Sequence, residues 1–115
     1  MDIQMSKQEG VAIVTLSGNL DGNTVNEAQE KIMPLLAPDT KSLVLDLKGC
    51  GYVSSAGLRL LLMAAKQVSG RGGTLALSGV CDEIKDVMEM TGFSNFFKSF
   101  PDINAAVAAV GKGGA

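Results

Sequence analysis

Short apolar runs that suit β-strands alternate along this chain with segments whose apolar residues recur at helical spacing. Every run after the first is followed by a helical segment, which gives the order β-β-α-β-α-β-α-β-α. Such alternation is typical of a parallel sheet with right-handed crossovers, and the leading hairpin adds an antiparallel strand. The sequence therefore predicts an α/β fold with a mixed, mostly parallel sheet of about five strands and about four α-helices. The runs cover residues 3–7, 11–16, 42–47, 74–78 and 96–100.

The third run is the most apolar, because Leu43, Val44 and Leu45 follow one another without a polar residue. A strand exposed on one face alternates apolar and polar residues, whereas a strand covered on both faces is continuously apolar. The run at 42–47 is therefore predicted to lie inside the sheet, with helices on both sides.

Several residues mark where the helices begin and end. Thr24 and Glu27 have the spacing of a capping box, in which each side chain bonds the backbone of the other residue. Asp82 and Asp102 are predicted caps of the last two helices. Pro34 lacks a backbone donor and is predicted to kink or end the first helix.

The chain has 115 residues, which fits one domain. We expect this domain to span residues 1–110 and the glycine-rich residues 111–115 to form a flexible tail. The first residues show neither the basic nor the apolar segment of a signal peptide, and no apolar run reaches membrane-spanning length. We therefore expect a cytoplasmic location without membrane insertion.

Composition narrows the possible functions. The chain contains no histidine, which excludes histidine acid–base catalysis, Ser–His and Cys–His triads, and histidine-ligated metals. The net charge of −2 is not that of a nucleic-acid-binding protein. Cys50 and Cys81 form no CxxC pair and are expected to be free thiols. No cofactor, metal site or catalytic residue is predicted.

The segment at 52–63 begins like the exit of a buried strand and ends as an amphipathic helix. Ser54 or Ser55 can cap this helix, because a serine hydroxyl accepts a bond from a free amide of the first turn. A hydroxyl at this position is exposed at the positive end of the helix dipole, within reach of a kinase. The predicted inner face carries Leu58, Leu61, Leu62, Ala65 and Val68, whereas Arg59, Met63 and Lys66 share a face toward solvent or a partner.

Three other features have a chemical and a structural interpretation. The glycine-rich segment at 70–73 lacks the spacing of a phosphate loop and is interpreted as a turn. Cys50 has only Lys48 nearby to activate a thiol, and a structural role is favoured. Asp21 and Asp46 have the chemistry of a carboxylate pair, but separate roles in a loop and at a strand end are favoured.

The chain resembles the STAS domain, and in particular the stand-alone anti-sigma-factor antagonists of bacteria. The resemblance covers nearly all 115 residues and is most specific at 52–58, where Tyr-Val-Ser-Ser-Ala-Gly-Leu precedes the second helix. It also includes 16–21 with Thr24, the strand at 43–47, the segment at 91–93, and the aromatic pair at 96–97. The resemblance implies the STAS fold.

Antagonists of this family are phosphorylated on a serine by a partner that is both anti-sigma factor and serine kinase. Aligned on Gly57 and Leu58, the resemblance places the phosphorylated serine at Ser55, with Ser54 as a rival acceptor. Ser54 stands where the family has an acidic residue, and Ala56 where it has a hydroxyl residue. The implied partner-binding residues are Asp21, Thr24, Ser54, Ala56, Gly57, Arg59 and Met63.

We expect a monomer because the chain is a small acidic domain, and the resemblance further implies that the protein is not an enzyme. The unphosphorylated form would bind the kinase and release its sigma factor or other client. A serine phosphatase of the metal-dependent type would reverse the modification. Two other functions remain open at this point: an unphosphorylated accessory subunit of a transporter or stress-sensing complex, and a small α/β enzyme or nucleotide binder.

Overall fold

The fold is described from a computed structural model that covers residues 1–36, 42–70 and 72–113. Its described residues form five strands and four α-helices in the predicted order. The strands are β1 (Asp2–Gln8), β2 (Val11–Ser17), β3 (Ser42–Gly49), β4 (Thr74–Ser78) and β5 (Lys98–Phe100). The helices are α1 (Val25–Ile32), α2 (Ser55–Gly70), α3 (Asp82–Thr91) and α4 (Ile103–Gly113). Short 3₁₀ turns at Met33–Leu36 and Phe93–Phe96 follow α1 and α3.

The strands form one sheet in the order β1-β2-β3-β4-β5. β1 runs antiparallel to β2, and the remaining neighbours are parallel. In register, Leu45 of β3 lies between Val14 of β2 and Leu77 of β4. The predicted class, a mixed and mostly parallel α/β sheet, is confirmed.

β3 is buried on both faces, as its apolar run predicts. Leu43, Leu45 and Leu47 join the larger core cluster, which includes the inner residues of α1, α2 and α3. Val44 points to the other face and joins a smaller cluster with residues of α4. Successive residues of a strand face opposite sides, so alternate side chains of β3 pack into the two core clusters on either side of the sheet.

The inner face of α2 is broader than its predicted stripe. Four of the five predicted residues are buried, whereas Leu62 is half-buried. Leu60 and Ala64, which were not assigned to the inner face, are also buried. A helix buried over a wide arc carries core residues beyond the simple three-and-four spacing of an amphipathic stripe.

Two of the helix caps differ from their predictions. Thr24 occupies the N-cap position of α1 as predicted, but its side chain makes no cap bond to the helix. Asp82 is the first residue of α3, and Cys81 occupies the cap position without a side-chain cap bond. The cap of α4 is confirmed, because Asp102 Oδ1 accepts a 2.8 Å bond from Ala105 N. α1 ends at Ile32, and Pro34 lies in the following 3₁₀ turn as expected.

The C-terminal elements differ in extent from their predictions. The last strand is confined to Lys98–Phe100, because the backbone at Phe93–Phe96 is a 3₁₀ turn. α4 continues through residues 111–113, which were assigned to the tail, and residues 114–115 lie outside the described part of the chain. Among the described residues, no helix combines the length and apolarity needed to cross a bilayer.

Substitution of Leu61 tests the packing of the core beneath α2. Its side chain is 0% exposed, so Leu61→Ala removes buried methyl groups and leaves a cavity. We expect a loss of about 3 kcal/mol in the free energy of unfolding, measured by chemical denaturation. Met90 is 86% exposed on α3, and Met90→Ala is the control, with a change below about 0.5 kcal/mol. Equal losses for the two variants would contradict the assigned core.

Candidate functional site

The two serines before α2 have different structural roles. Gly57 N donates to Ser54 Oγ over 3.2 Å, and Leu58 N donates to Ser54 O over 2.8 Å. Ser54 is therefore the residue that caps α2, and its side chain is half-buried. Ser55 is the first residue of the helix and is exposed. Of the two hydroxyls, that of Ser55 is the more accessible to another protein.

The loop after β2 is joined to the segment before α2 by backbone hydrogen bonds. Leu20 N donates to Tyr52 O over 2.9 Å, and Ser54 N donates to Leu20 O over 2.8 Å. Leu20 and Val53 thereby form a parallel bridge outside the main strands. We call this the Leu20 bridge. It fixes the cap residue of α2 to a loop that is more than thirty residues away in sequence.

Gly57 allows the first turn of α2 to approach this bridge closely. A Cβ atom at position 57 would lie 2.8 Å from Leu20 O and 2.9 Å from Val53 Cγ1. Real Cβ atoms do not occupy such positions without movement of their neighbours. Gly57 is buried, so it acts on the site by positioning the helix, and its own surface is not available to a partner.

Asp21 and Thr24 shape the same loop. Thr24 Oγ1 donates to Asn19 O over 2.7 Å and accepts from Asp21 N over 3.0 Å. The Asp21 carboxylate accepts a 2.9 Å bond from Asn23 N. The threonine hydroxyl is therefore engaged within the loop, which explains why it does not cap α1. Both side chains are half-buried, and part of each remains accessible beside the start of α2.

The outer side of α2 carries a row of residues that is exposed at Ser55 and Arg59 and half-buried at Met63. Ser55, Arg59 and Met63 are spaced four residues apart and lie on one side of the helix. Arg59, Leu62, Met63, Lys66 and Gln67 line a shallow groove along this side. We call Ser55 and these five groove residues the switch face. The structure thus places together Ser55, Arg59 and Met63 as the sequence predicts, and Ala56 is half-buried beside them.

Tyr52 is an exposed aromatic residue that the sequence analysis did not assign to the site. Its side chain is 54% exposed, whereas that of Val53 is buried. Side chains alternate in extended backbone, so the burial of Val53 directs Tyr52 outward next to the Ser54 cap. The sequence signal for an exposed Tyr52 is this alternation of buried and exposed side chains in the extended segment before the cap.

Cys50, Asp46 and Asp21 have structural hydrogen-bond partners in the described part of the chain. Burial raises the pKa of the Cys50 thiol, and Cys50 Sγ donates to Tyr52 O over 3.3 Å. This thiol therefore stays protonated and supports the backbone before α2. Asp46 is buried and accepts a 3.0 Å bond from Ser78 Oγ, whereas Asp21 bonds within its own loop. In the described ranges, no cluster of acidic or cysteine residues has the arrangement of a metal site.

The segment at 70–73 has the turn structure that was favoured over a phosphate loop. Gly72 N donates to Ser69 O over 3.0 Å, and Gly73 N donates to Val68 O over 2.9 Å. These bonds close the end of α2, and the positive φ of 78° at Gly72 suits glycine. Arg71 lies outside the described residues.

Comparison with known proteins places this geometry in a family. Residues 2–106 match the STAS domain. BtrV of Bordetella bronchiseptica, a protein assigned as an anti-sigma factor antagonist, is 31% identical over 109 residues, which cover 95% of this chain and 94% of BtrV. The anti-sigma-B factor antagonist of Staphylococcus aureus is 28% identical over 95 residues, with 83% of this chain and 88% of the relative covered.

Solved structures share the fold at lower sequence identity. A Thermotoga maritima protein, also assigned as an anti-sigma factor antagonist, superimposes with a TM-score of 0.88 at 18% identity, covering 94% of this chain and 93% of its own. The antagonist SpoIIAA has been solved in its unphosphorylated form (TM-score 0.73, 14% identity, 94% and 96% covered). The phosphorylated form of SpoIIAA, a Bacillus cell fate determinant, gives a TM-score of 0.72 at 15% identity, with 94% and 99% covered. By its sequence match and its five-stranded sheet, this chain belongs to the STAS domain family.

Proposed function

We propose that this protein is an anti-sigma factor antagonist controlled by phosphorylation of Ser55. In its unphosphorylated form, it binds an anti-sigma factor that is also a serine kinase, and this binding releases a sigma factor or other client. The observation that carries the proposal is the exposed hydroxyl of Ser55 at the start of the switch face, next to a serine that already caps the helix.

The names of the relatives support this proposal. The Staphylococcus aureus relative is an anti-sigma-B factor antagonist, and SpoIIAA is an antagonist with both phosphorylated and unphosphorylated forms. The switch face and the nearby Tyr52 supply residue types that are common in protein interfaces. Arg59 offers a guanidinium, Met63 an adaptable apolar side chain and Tyr52 an exposed ring. Asp21 and Thr24 border the start of α2 and form the loop side of the proposed surface.

Phosphorylation of Ser55 leaves the fold intact in this mechanism. A phosphoserine carries a charge of about −1.5 to −2, and the N-terminus of a helix favours negative charge. The cap bond to Ser54 Oγ does not involve Ser55. The modified serine therefore keeps α2 in place while changing the surface that the kinase contacts.

Arg59 links the modification to the loss of binding. It lies one helical turn after Ser55, and residues four apart on a helix are neighbours. A guanidinium binds phosphate through paired hydrogen bonds, so the Ser55 phosphate can hold Arg59 along the helix. The switch face then loses a cation for the partner and gains a charge of about −1.5 to −2. Each 1.4 kcal/mol of lost interaction lowers the affinity about tenfold, so one phosphate suffices to release the kinase.

The remaining parts of the cycle follow from the same proposal. The kinase supplies ATP and the phosphoryl-transfer chemistry, and this protein is its substrate, without an active site or cofactor. A serine phosphatase of the metal-dependent type removes the phosphate and restores binding. The protein acts in the cytoplasm as a monomer, through contacts with proteins and without binding nucleic acid.

The acceptor serine can be identified directly. We expect incubation with ATP and a candidate anti-sigma factor kinase to add one phosphate to Ser55, located by mass spectrometry. Ser55→Ala should abolish the modification. Ser54→Ala should retain it and lose about 1 kcal/mol of stability, because the cap bond is removed. Phosphate on Ser54 in the Ser55→Ala variant would refute the assigned acceptor, and no phosphate on either serine would favour the accessory-subunit alternative.

The switch face can be tested by binding of the unphosphorylated protein to that kinase. Arg59→Ala and Met63→Ala should each weaken binding about tenfold in calorimetry, as expected for central interface contacts. Lys31→Ala, an exposed position in the last turn of α1, should leave the affinity unchanged. If Lys31→Ala had the same effect as Arg59→Ala, the result would reflect net charge and not a specific surface.

Gly57→Ala tests the close approach between α2 and the Leu20 bridge. The added Cβ would lie 2.8 Å from Leu20 O, and we expect a loss of about 1 to 3 kcal/mol in the free energy of unfolding together with weaker kinase binding. Gly70→Ala is the matched control, because a Cβ there meets no atom within 4 Å. It should be neutral or stabilising, since alanine favours helix over glycine. Unchanged stability of Gly57→Ala would contradict the prediction, because it would show that the loop moves away from the added Cβ without a loss of stability.

A further inference from the structure

A second polar site lies at the ends of the parallel strands, apart from the switch face. A cavity of about 700 Å³ opens there, a volume within the usual range for small-molecule sites. None of its lining residues belongs to the switch face. Residues Asp46, Lys48, Gly79, Lys85, Phe100 and Asn104 contribute to its wall.

The cavity lies at the carboxyl ends of three parallel strands. Lys48 lies at the carboxyl end of β3, Gly79 directly follows β4, and Phe100 is the last residue of β5. The strand order contains no reversal, which is where open α/β sheets usually bind ligands. The case for a site therefore rests on the side chains that line the cavity.

Asp46 provides a buried acceptor in the wall of the cavity. Its side chain is only 6% exposed. Oδ1 accepts bonds from Ser78 Oγ at 3.0 Å and from Lys48 N at 3.3 Å. Oδ2 has no hydrogen-bond partner in the described part of the chain. A buried carboxylate oxygen without a partner is unfavourable, and a ligand that donates a hydrogen bond would satisfy it.

Two lysines make the entrance favourable for an anion. Lys48 and Lys85 both line the cavity and are exposed. Within residues 1–36, 42–70 and 72–113, neither of them forms an ion pair. Asp102 also lines the cavity, and its carboxylate already caps α4 through Ala105 N, so the end of this helix adds no attraction for an anion. The two lysines are therefore the groups that favour an anion at the entrance, and Asp46 favours a hydrogen-bond donor.

Gly79 lies in the wall of the cavity at a point where neighbouring atoms leave no room for a side chain. It has a φ of +65°, and a Cβ atom there would lie 2.9 Å from Lys48 Cβ and 3.1 Å from Asp46 Oδ1. A larger residue would press on the two side chains that give the cavity its polarity. Glycine therefore allows β3 and the residues after β4 to approach while Asp46 and Lys48 keep their positions.

We propose that this cavity binds a small organic anion that carries a hydroxyl group. The anionic group lies between Lys48 and Lys85, and the hydroxyl donates to Asp46 Oδ2. The site is independent of the proposed phosphorylation, because it shares no residue with the switch face.

The test is an NMR titration with 3-phosphoglycerate, a probe with a carboxylate, a phosphate and a hydroxyl group. We expect saturable shifts in the backbone amides of Lys48, Gly79 and Asn104, with those of Arg59 and Met63 unchanged. Sodium sulfate at equal ionic strength and glycerol serve as controls, and each should bind at least about tenfold more weakly. Absence of saturable shifts, shifts centred on the start of α2, or equal binding of either control would overturn the proposal.

Two variants separate specific recognition from general attraction of anions. Lys85→Ala should lower the affinity about tenfold, whereas Lys31→Ala should not change it. Asp46→Asn keeps an acceptor for Ser78 and replaces the free oxygen with a donor, so the proposed hydroxyl bond predicts weaker binding. Purely electrostatic attraction predicts tighter binding after loss of the negative charge, and that result would overturn the proposal. If Asp46→Asn does not fold, the affinity of Lys85→Ala for 3-phosphoglycerate tests the proposal, and an unchanged affinity would overturn it.

Ser55→Ala should bind the probe like the unmodified protein. A failure of the anion site therefore leaves the phosphorylation proposal standing, and the absence of phosphorylation leaves the anion site standing.

Discussion

The Leu20 bridge is the interaction on which the geometry at the start of α2 depends. Two backbone hydrogen bonds of 2.9 and 2.8 Å join Leu20 to the segment that precedes α2. Because these bonds join main-chain atoms, they fix the path of the backbone without the participation of a side chain. Gly57 then lets the helix lie against the bridge without a Cβ between them. The loop after β2 and the first turn of α2 thus form one continuous surface.

In the proposed mechanism, this arrangement gives two adjacent hydroxyls different roles, one structural and one regulatory. Ser54 accepts the bond that begins α2, and its side chain is half-buried. Ser55 is exposed, and its side chain has no assigned part in holding the helix. Under the proposal, phosphorylation of Ser55 would add charge where the helix dipole favours it. The proposed modification would then change partner binding and not the stability of the domain.

The fold was largely predictable because its strongest signals are local. The run from Leu43 to Leu45 and the alternation of strands with helices indicated a mostly parallel sheet, and the structure confirms both. The errors arose where a side chain had competing partners. The Thr24 hydroxyl bonds to Asn19 O instead of capping α1, and sequence spacing does not reveal which acceptor lies nearer. The choice between Ser54 and Ser55 as cap likewise required the backbone path that the Leu20 bridge imposes.

β3 joins the two proposed sites through the alternation of its side chains. Leu45 and Leu47 face the layer that supports α2, whereas Asp46 lines the cavity at the carboxyl end of the sheet. Core packing is dense and resists small displacements, so a movement of this strand end would be felt on both sides. Ligand binding at Asp46 can alter partner binding only to the extent that it changes the position of the segment after β3, since coupling requires different contacts in two states. Cys50 and Tyr52, whose thiol and carbonyl are joined over 3.3 Å, lie in that segment, and it is the shortest covalent connection between the cavity and the cap of α2.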